Sequence, residues 1–222
     1  MTSESWRPYL PAAGYDWTLP LYDPIVKLLG GDKARRMLLD QSELQPGYRV
    51  LDIGCGTGTL AILSQRLYPD VGIVGIDPDP KALARARRKA SRAGFSIQFD
   101  QGFGDELPYP AASFDRVFSS FMFHHLPSSE KSNTLRAVRR VLKAGGTFHM
   151  LDFEGPEGGS HGVFSRLLHS SKRLKENSEN QILSLLGQAG FSEMSKVSEQ
   201  AMLFGRIAYF CARAWGREYR EG

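Results

Sequence analysis

Val50-Leu51-Asp52-Ile53-Gly54-Cys55-Gly56-Thr57-Gly58-Thr59 is the stretch that decides the fold. Its first half reads as a short apolar strand carrying one acid, its second half places glycine at alternate positions, and a helical pattern then runs from Leu60 to Leu67. Without Cβ atoms such a turn reaches positive φ angles and lets a ligand touch backbone, while the helix that follows begins with N–H groups lacking an intrahelical partner. The dinucleotide fingerprint G-x-G-x-x-G would need glycine at position 59, where this chain has threonine. That spacing serves a pyrophosphate, so the mismatch argues against NAD or FAD.

Downstream the pattern repeats. A second apolar run, Val71 to Ile76, ends at Asp77, and Pro80 opens a helix carrying Ala82, Leu83, Ala86 and Ala90. Further strands are expected at Ser96 to Phe99, Phe114 to Ser119 and Gly146 to Phe153, with a helix through Leu135, Val138, Val141 and Leu142 between the last two. A helix over Gln181 to Ala189 and two closing strands, near Glu193 to Ser198 and Leu203 to Ala212, complete the chain. Alternating strands and helices imply an α/β fold: a doubly wound, Rossmann-like, mostly parallel seven-stranded sheet with an antiparallel C-terminal edge strand. One domain over 1–222 is expected: an aromatic-rich N-terminal lid or helix (1–45), a core (46–153), an inserted segment (154–178), and a C-terminal helix and strands (179–222). The insert follows a Gly-Pro-Glu-Gly-Gly-Ser break, and Val163, Phe164, Leu167, Leu168 and Leu174 give it a short helix whose stripe serves the core or a substrate lid.

With 222 residues and 41% apolar content the chain can build its core unaided. Its two cysteines, Cys55 and Cys211, make neither a disulfide framework nor a zinc ribbon and fit a reducing, cytoplasmic setting. No apolar run approaches the roughly 20 residues of a membrane span, and the polar N-terminus is no secretory signal. With 28 bases against 24 acids, net charge is +4, which permits a nucleic-acid partner without demanding one. Six bases between Lys81 and Arg92, with no acid among them, read best as a solvated helix face.

An acid ending the second strand after a glycine turn can accept hydrogen bonds from both ribose hydroxyls. Asp77 is that acid; the plainer role, capping the helix that starts near Asp79, is weaker beside the glycine turn. Loop and acid together point to an adenosine site.

These motifs resemble the class I S-adenosylmethionine-dependent methyltransferases, in particular the branch of the ubiquinone and menaquinone biosynthesis methyltransferases. The resemblance covers most of the chain. It rests on the glycine turn, on Gly75-Ile76-Asp77, on Leu107-Pro108 with Phe114-Asp115, and on Arg140-Val141-Leu142-Lys143-Ala144-Gly145-Gly146. It implies S-adenosylmethionine as cofactor, with S-adenosylhomocysteine as product, and a small-molecule methyl acceptor. It further implies that Gly54, Cys55, Gly56 and Gly58 form the cofactor loop, that Asp52 orders the methionine amino end, that Asp77 holds the ribose, and that Pro78 borders the adenine. Where this family commonly has an acid for the adenine amino group, the chain has Phe103, followed by Gly104, whose N–H can still serve; Asp105 replaces the carboxylate or is a solvated loop residue. Tyr22, next to Asp23, is the candidate for the cofactor carboxylate, with Tyr15-Asp16 second.

After the fourth strand comes Ser119-Ser120-Phe121-Met122-Phe123-His124-His125-Leu126, at the carboxyl end where such sheets bind ligands. The resemblance puts Ser119 by the methionine amino group and His124 and His125 at the acceptor mouth. A histidine there can take a proton near neutral pH, but transfer from a sulfonium needs mostly alignment, so a positioning role for at least one is favoured. The segment is not the Asn-Pro-Pro-Tyr type of nucleic-acid amino-methylating enzymes, and two distant cysteines supply neither arsenite chemistry nor an iron–sulfur cluster. Trp6, Tyr9, Tyr15, Trp17 and Tyr22 give the N-terminal segment aromatic faces for an apolar or cationic acceptor, or for packing. The expected function is methyl transfer to a small apolar or aromatic acceptor; the alternatives are a non-catalytic cofactor-binding sensor and an RNA methyltransferase. Oligomeric state is not written in the sequence.

Overall fold

A computed structural model describes residues 30–154, 177–202 and 205–215. Tyr22 and the other N-terminal rings, and the helix expected in the insert, lie outside the described residues. The elements in chain order are α1 (Gly31–Asp40), β1 (Arg49–Ile53), α2 (Thr59–Leu67), β2 (Gly72–Asp77), α3 (Pro80–Arg92), β3 (Gln98–Gln101), β4 (Phe114–Ser120), a 3-10 turn (Phe123–His125), α4 (Ser128–Val141), β5 (Leu142–Phe153), α5 (Glu179–Gln188), β6 (Ser192–Met202) and β7 (Gly205–Arg213). The seven strands form one sheet in the order β3-β2-β1-β4-β5-β7-β6. β1 to β5 are parallel; β7 runs antiparallel to both β5 and β6 and lies between them, so β6 is the edge.

Side-chain alternation along each buried strand sorts residues between two cores. Val50, Ile73, Phe118, Leu151 and Tyr209 join Ala34 and Leu38 of α1, Leu60 of α2 and Leu83 and Ala86 of α3 on one face. Leu51, Val74, Val117, Met150 and Phe210 join Leu135 and Val138 of α4 and Ile182 and Leu186 of α5 on the other. Each large apolar side chain so buried contributes on the order of 2 kcal/mol.

Several resemblance-bearing residues hold this frame together. Asp115 takes the Arg49 N–H at 2.8 Å and the Lys143 ammonium at 2.9 and 2.8 Å, tying the start of β4 to β1 and β5. The Arg140 guanidinium, at the end of α4, donates to the Leu107 and Tyr109 carbonyls, each at 2.7 Å, and so fixes the loop before β4. The strand order reverses between β1 and β4, which opens a crevice at the carboxyl ends of those two strands, where ligands of open α/β sheets bind.

Candidate functional site

The crevice is walled by the Gly54–Gly58 turn, the end of β2, the loop after β3, and the residues after β4. Gly54 and Cys55 donate their N–H groups to the Ile76 carbonyl at 2.8 and 3.1 Å, and Gly56 donates to Asp77 Oδ2 at 2.8 Å. The turn is thus bound to β2 through its own donors. Gly54, at φ 65°, has the Met122 side chain so near that a Cβ would come within 2.2 Å of Met122 Cγ. Gly58, at φ 73°, faces inward instead: a Cβ there would lie 2.9 Å from both Ala86 and Phe99, so this glycine lets α3 and β3 close on the turn. The Cys55 side chain is likewise buried in the core beneath β2, among Gly75 and Phe99, and burial pushes its thiol well up. Thr59 has its hydroxyl 2.8 Å from the Lys89 ammonium, which also donates to Thr57.

Asp52 sits one residue before the end of β1, 2% exposed. Ala61 at the start of α2 donates its N–H to this carboxylate, while Oδ2 is buried with no hydrogen-bond partner among the described residues. Burial pushes its acidity to about 7, against the pull of the Arg35 guanidinium, with Asp77 adding to the rise. Asp77 is buried at the end of β2 and accepts from Gly56 N–H and Asp79 N–H, at 2.8 and 2.9 Å; burial raises it to about 6. The capping role falls to its neighbour: Asp79 is the N-cap of α3, accepting from Lys81 and Ala82 N–H at 2.8 and 3.3 Å, with Pro80 behind it. Asp77 is therefore not the cap of α3; each of its oxygens is met by one backbone N–H, from the glycine turn and from Asp79.

Pro78 and Phe103 are half-buried on either side of the strand ends. The loop after β3 begins with Gly102 donating to the Asp77 carbonyl at 3.1 Å and turns through a Glu106 N–H to Phe103 carbonyl bond, 3.2 Å. Gly104 packs on Thr134 of α4, where a Cβ would stand 3.3 Å away. After β4, Ser119 is fully buried, and the hydroxyls of Ser119 and Ser120 have no partner among the described residues.

His124 and His125 are placed differently. Asp152, near the end of β5, accepts the His124 backbone N–H at 3.0 Å with one oxygen and meets His124 Nδ1 at 2.5 Å with the other. Burial alone would raise Asp152, but the imidazole and these hydrogen bonds hold it below the usual carboxylate range. His124 is 3% exposed, while half-buried His125 tilts against it at 42° with ring centroids 3.9 Å apart. Phe153 packs edge-on to His124 and tilts against Phe121.

Two residues of this site escaped the sequence reading. Asp152 carried a signal, an acid at the carboxyl end of an apolar strand. Arg35 carried another: it lies on the apolar face of α1 with Ala34, Leu38 and Leu39, where a charge is out of place.

A parallel sheet with a glycine turn at its switch point, a buried acid in the first strand with one oxygen unpartnered among the described residues and a second acid ending the neighbouring strand define a Rossmann-like α/β protein with a candidate site at the strand ends. Comparison with known proteins gives that class its family. The profile of a family described as a methyltransferase domain matches residues 50–146. A demethylmenaquinone methyltransferase of Thermus thermophilus is 36% identical over 151 residues, 67% of this chain and 68% of the relative. An uncharacterized methyltransferase of Synechocystis is 31% identical over 191 residues, 82% of this chain and 85% of the relative. The crystal structure of a S-adenosylmethionine-dependent methyltransferase from Aquifex aeolicus superposes with a TM-score of 0.69 at 21% identity, covering 90% of this chain and 99% of that one. The chain belongs to the class I S-adenosylmethionine-dependent methyltransferases, in the branch of the ubiquinone and menaquinone enzymes. It is an enzyme of that class and uses S-adenosylmethionine. Among the described residues no helix is long and apolar enough to cross a membrane.

Proposed function

We propose that the chain methylates a small apolar or aromatic acceptor, related to the demethylmenaquinone named in its Thermus relative, in the crevice between the glycine turn and the residues after β4. The observation that carries this is Asp52 Oδ2. A buried carboxylate oxygen without a partner is costly, and a ligand ammonium in the crevice removes that cost. In this arrangement Asp52 receives the amino end of the cofactor's methionine, and Asp77 takes the ribose hydroxyls with the lone pairs its two backbone donors leave. Pro78, Phe103 and Gly104 border the adenine, Phe103 offering a ring face where relatives offer an acid; Ser119 and Ser120 supply further polar contacts.

Bound S-adenosylmethionine supplies an electrophilic methyl group on a sulfonium. The protein's part is alignment and exclusion of water. Phe121, Phe153 and His125 line the acceptor side, and the Asp152–His124 pair holds the loop that carries them. His124, buried and gripped through both backbone and ring, is a positioning residue; His125, the more exposed, is the one able to take an acceptor hydroxyl's proton. Asn177 donates to the Phe153 carbonyl at 2.7 Å and Lys196 pairs with Glu154 at 2.7 Å, which fixes the end of β5 beside this mouth. Two of the α3 bases are engaged within the fold, Arg87 with the Phe99 carbonyl and Lys89 with the threonines, which weighs against an RNA acceptor. Both cysteines are free thiols, in keeping with a cytoplasmic enzyme.

Isothermal titration of S-adenosylmethionine and S-adenosylhomocysteine tests the site. One-to-one binding that Asp77→Ala weakens by about 10- to 150-fold is expected, given roughly 1.5–3 kcal/mol for hydrogen bonds to a charged group. Methyl uptake onto hydroquinones and naphthohydroquinones should then follow. Binding without uptake onto any aromatic acceptor refutes the acceptor class, and no binding refutes the site.

A further inference from the structure

We infer that Phe121 is a specificity-determining residue for the acceptor: its ring ends a row of rings beside the crevice and selects acceptors by the size of their flat aromatic face. The inference rests on the acceptor class proposed above and deepens it. Phe121 directly follows β4 and adopts φ 57°, in the left-handed region that a bulky side chain occupies only under constraint. Glycine, or asparagine with its short polar side chain, would take that conformation at far lower cost. The backbone there still continues the pairing of β4 with β5, since the Phe121 N–H donates to the Leu151 carbonyl at 2.8 Å. The next residue, Met122, has its side chain against Gly54 of the glycine turn, while the Phe121 ring packs with the core on the α1 face of the sheet.

Core packing does not account for this placement. Phe114, Phe118 and Phe123, in the same stretch of chain, are each 0% exposed and none has a positive φ, whereas Phe121 combines a strained backbone with a ring that is only half-buried. A side chain kept for stability alone would gain more from fuller burial and lose less to its backbone. What surrounds the ring is aromatic. The Phe121 and Phe153 centroids are 5.3 Å apart, Phe153 and His124 5.2 Å, and His124 and His125 3.9 Å. The four rings make one row at the carboxyl ends of β4 and β5, with the Arg35 guanidinium 5.3 Å from the Phe121 ring centre at its far end. Asp152 steadies the middle of the row, meeting His124 Nδ1 at 2.5 Å and accepting the Phe153 N–H at 2.7 Å with the same oxygen. A flat acceptor laid against such a row gains offset and edge-to-face ring contacts beyond the apolar area it buries, and an aliphatic residue at position 121 would offer the area alone.

1,4-Hydroquinone and 1,4-naphthohydroquinone, kept reduced, differ by one fused ring and separate selection from structure. Methyl-transfer kcat and KM are measured for both with wild type, Phe121→Leu, Phe121→Asn and Phe121→Tyr, alongside calorimetric Kd values for S-adenosylhomocysteine and a folding check by circular dichroism. Wild type is expected to favour the naphthohydroquinone in kcat/KM. Phe121→Leu should cut that preference about fivefold, mainly through KM, Phe121→Asn at least as far, and Phe121→Tyr, which keeps the ring, should hold it within about twofold. S-adenosylhomocysteine affinity should stay within about twofold throughout. A wild type indifferent to the added ring, or a preference that survives loss of the ring, overturns the assignment. So does equal weakening of both acceptors together with S-adenosylhomocysteine, the mark of a merely structural residue. If only one of Phe121→Leu and Phe121→Asn folds, its preference decides. A wild type that binds S-adenosylhomocysteine yet methylates neither compound overturns the acceptor class itself and the inference with it.

Discussion

Asp52 and Asp77 are the residues on which the proposed cofactor site turns, and their ionisation gives it a pH signature. Cofactor binding as proposed needs Asp52 ionised to meet an ammonium, and burial has raised its carboxyl to about 7, with Arg35 opposing and Asp77 adding to the rise. Affinity for S-adenosylhomocysteine should therefore fall as pH drops from 8 to 6, by a factor approaching tenfold per unit below the midpoint. An Asp52→Asn variant should bind more weakly with a much flatter profile; a wild-type profile that is flat across this range would refute the pairing. The same shift acts on stability with a defined sign. The unfolded carboxyl ionises near 3.8, well before the folded one, so the folded state holds the extra proton between about 4 and 7 and loses stability as pH rises through that window. Thermal melts of the ligand-free protein should show Asp52→Asn gaining on wild type across that interval and the difference levelling off above it.

At the scale of the element, α3 and α4 each carry a residue whose motif function is mechanical. Asp79 caps α3 while Asp77, two residues earlier, does not, and the two roles separate by mutation. Asp79→Ala should cost about 1 kcal/mol of stability, the usual cost of a lost N-cap, and leave S-adenosylhomocysteine affinity within about threefold; Asp77→Ala should do the reverse to binding. Arg140 grips two carbonyls of the 107–109 loop with one planar fork. A lysine has a single point of donation, so Arg140→Lys should lower stability by about 1–2 kcal/mol, read in urea denaturation, because at least one partly buried carbonyl loses its partner. The family motif that ends α4 is thus a clamp on the frame.

For the whole molecule, the crevice lies where two halves of the sheet diverge, with β1, β2 and β3 on one side and β4 and β5 on the other. A ligand seated there bridges both halves and binds the folded state alone. S-adenosylhomocysteine at about 100 times its Kd should add about 2.7 kcal/mol, which for a chain of this size raises the Tm by roughly 5–10 °C. A thermal scan with and without ligand checks it, and an unchanged Tm at saturating ligand would count against a site at the switch point.

The sequence by itself determined the architecture and the position of the crevice. Strand, glycine turn and helix are local patterns, set by side-chain alternation, helical spacing and missing Cβ atoms, and the seven strands expected from them are the seven found, with boundaries moved by a few residues. Asp52, Asp77 and the turn were legible for the same reason: each is a polar or glycine position where the local pattern calls for something apolar or larger. The tertiary structure alone decided what depends on residues distant in the chain. It turned Cys55 and Gly58 into the core and set β7 inside the sheet with β6 at the edge. It also joined His124 to Asp152 across 28 residues and brought Arg35 of α1 near Asp52. Those outcomes follow from which surfaces are buried together when the helices close on the sheet, and no short-range spacing encodes them.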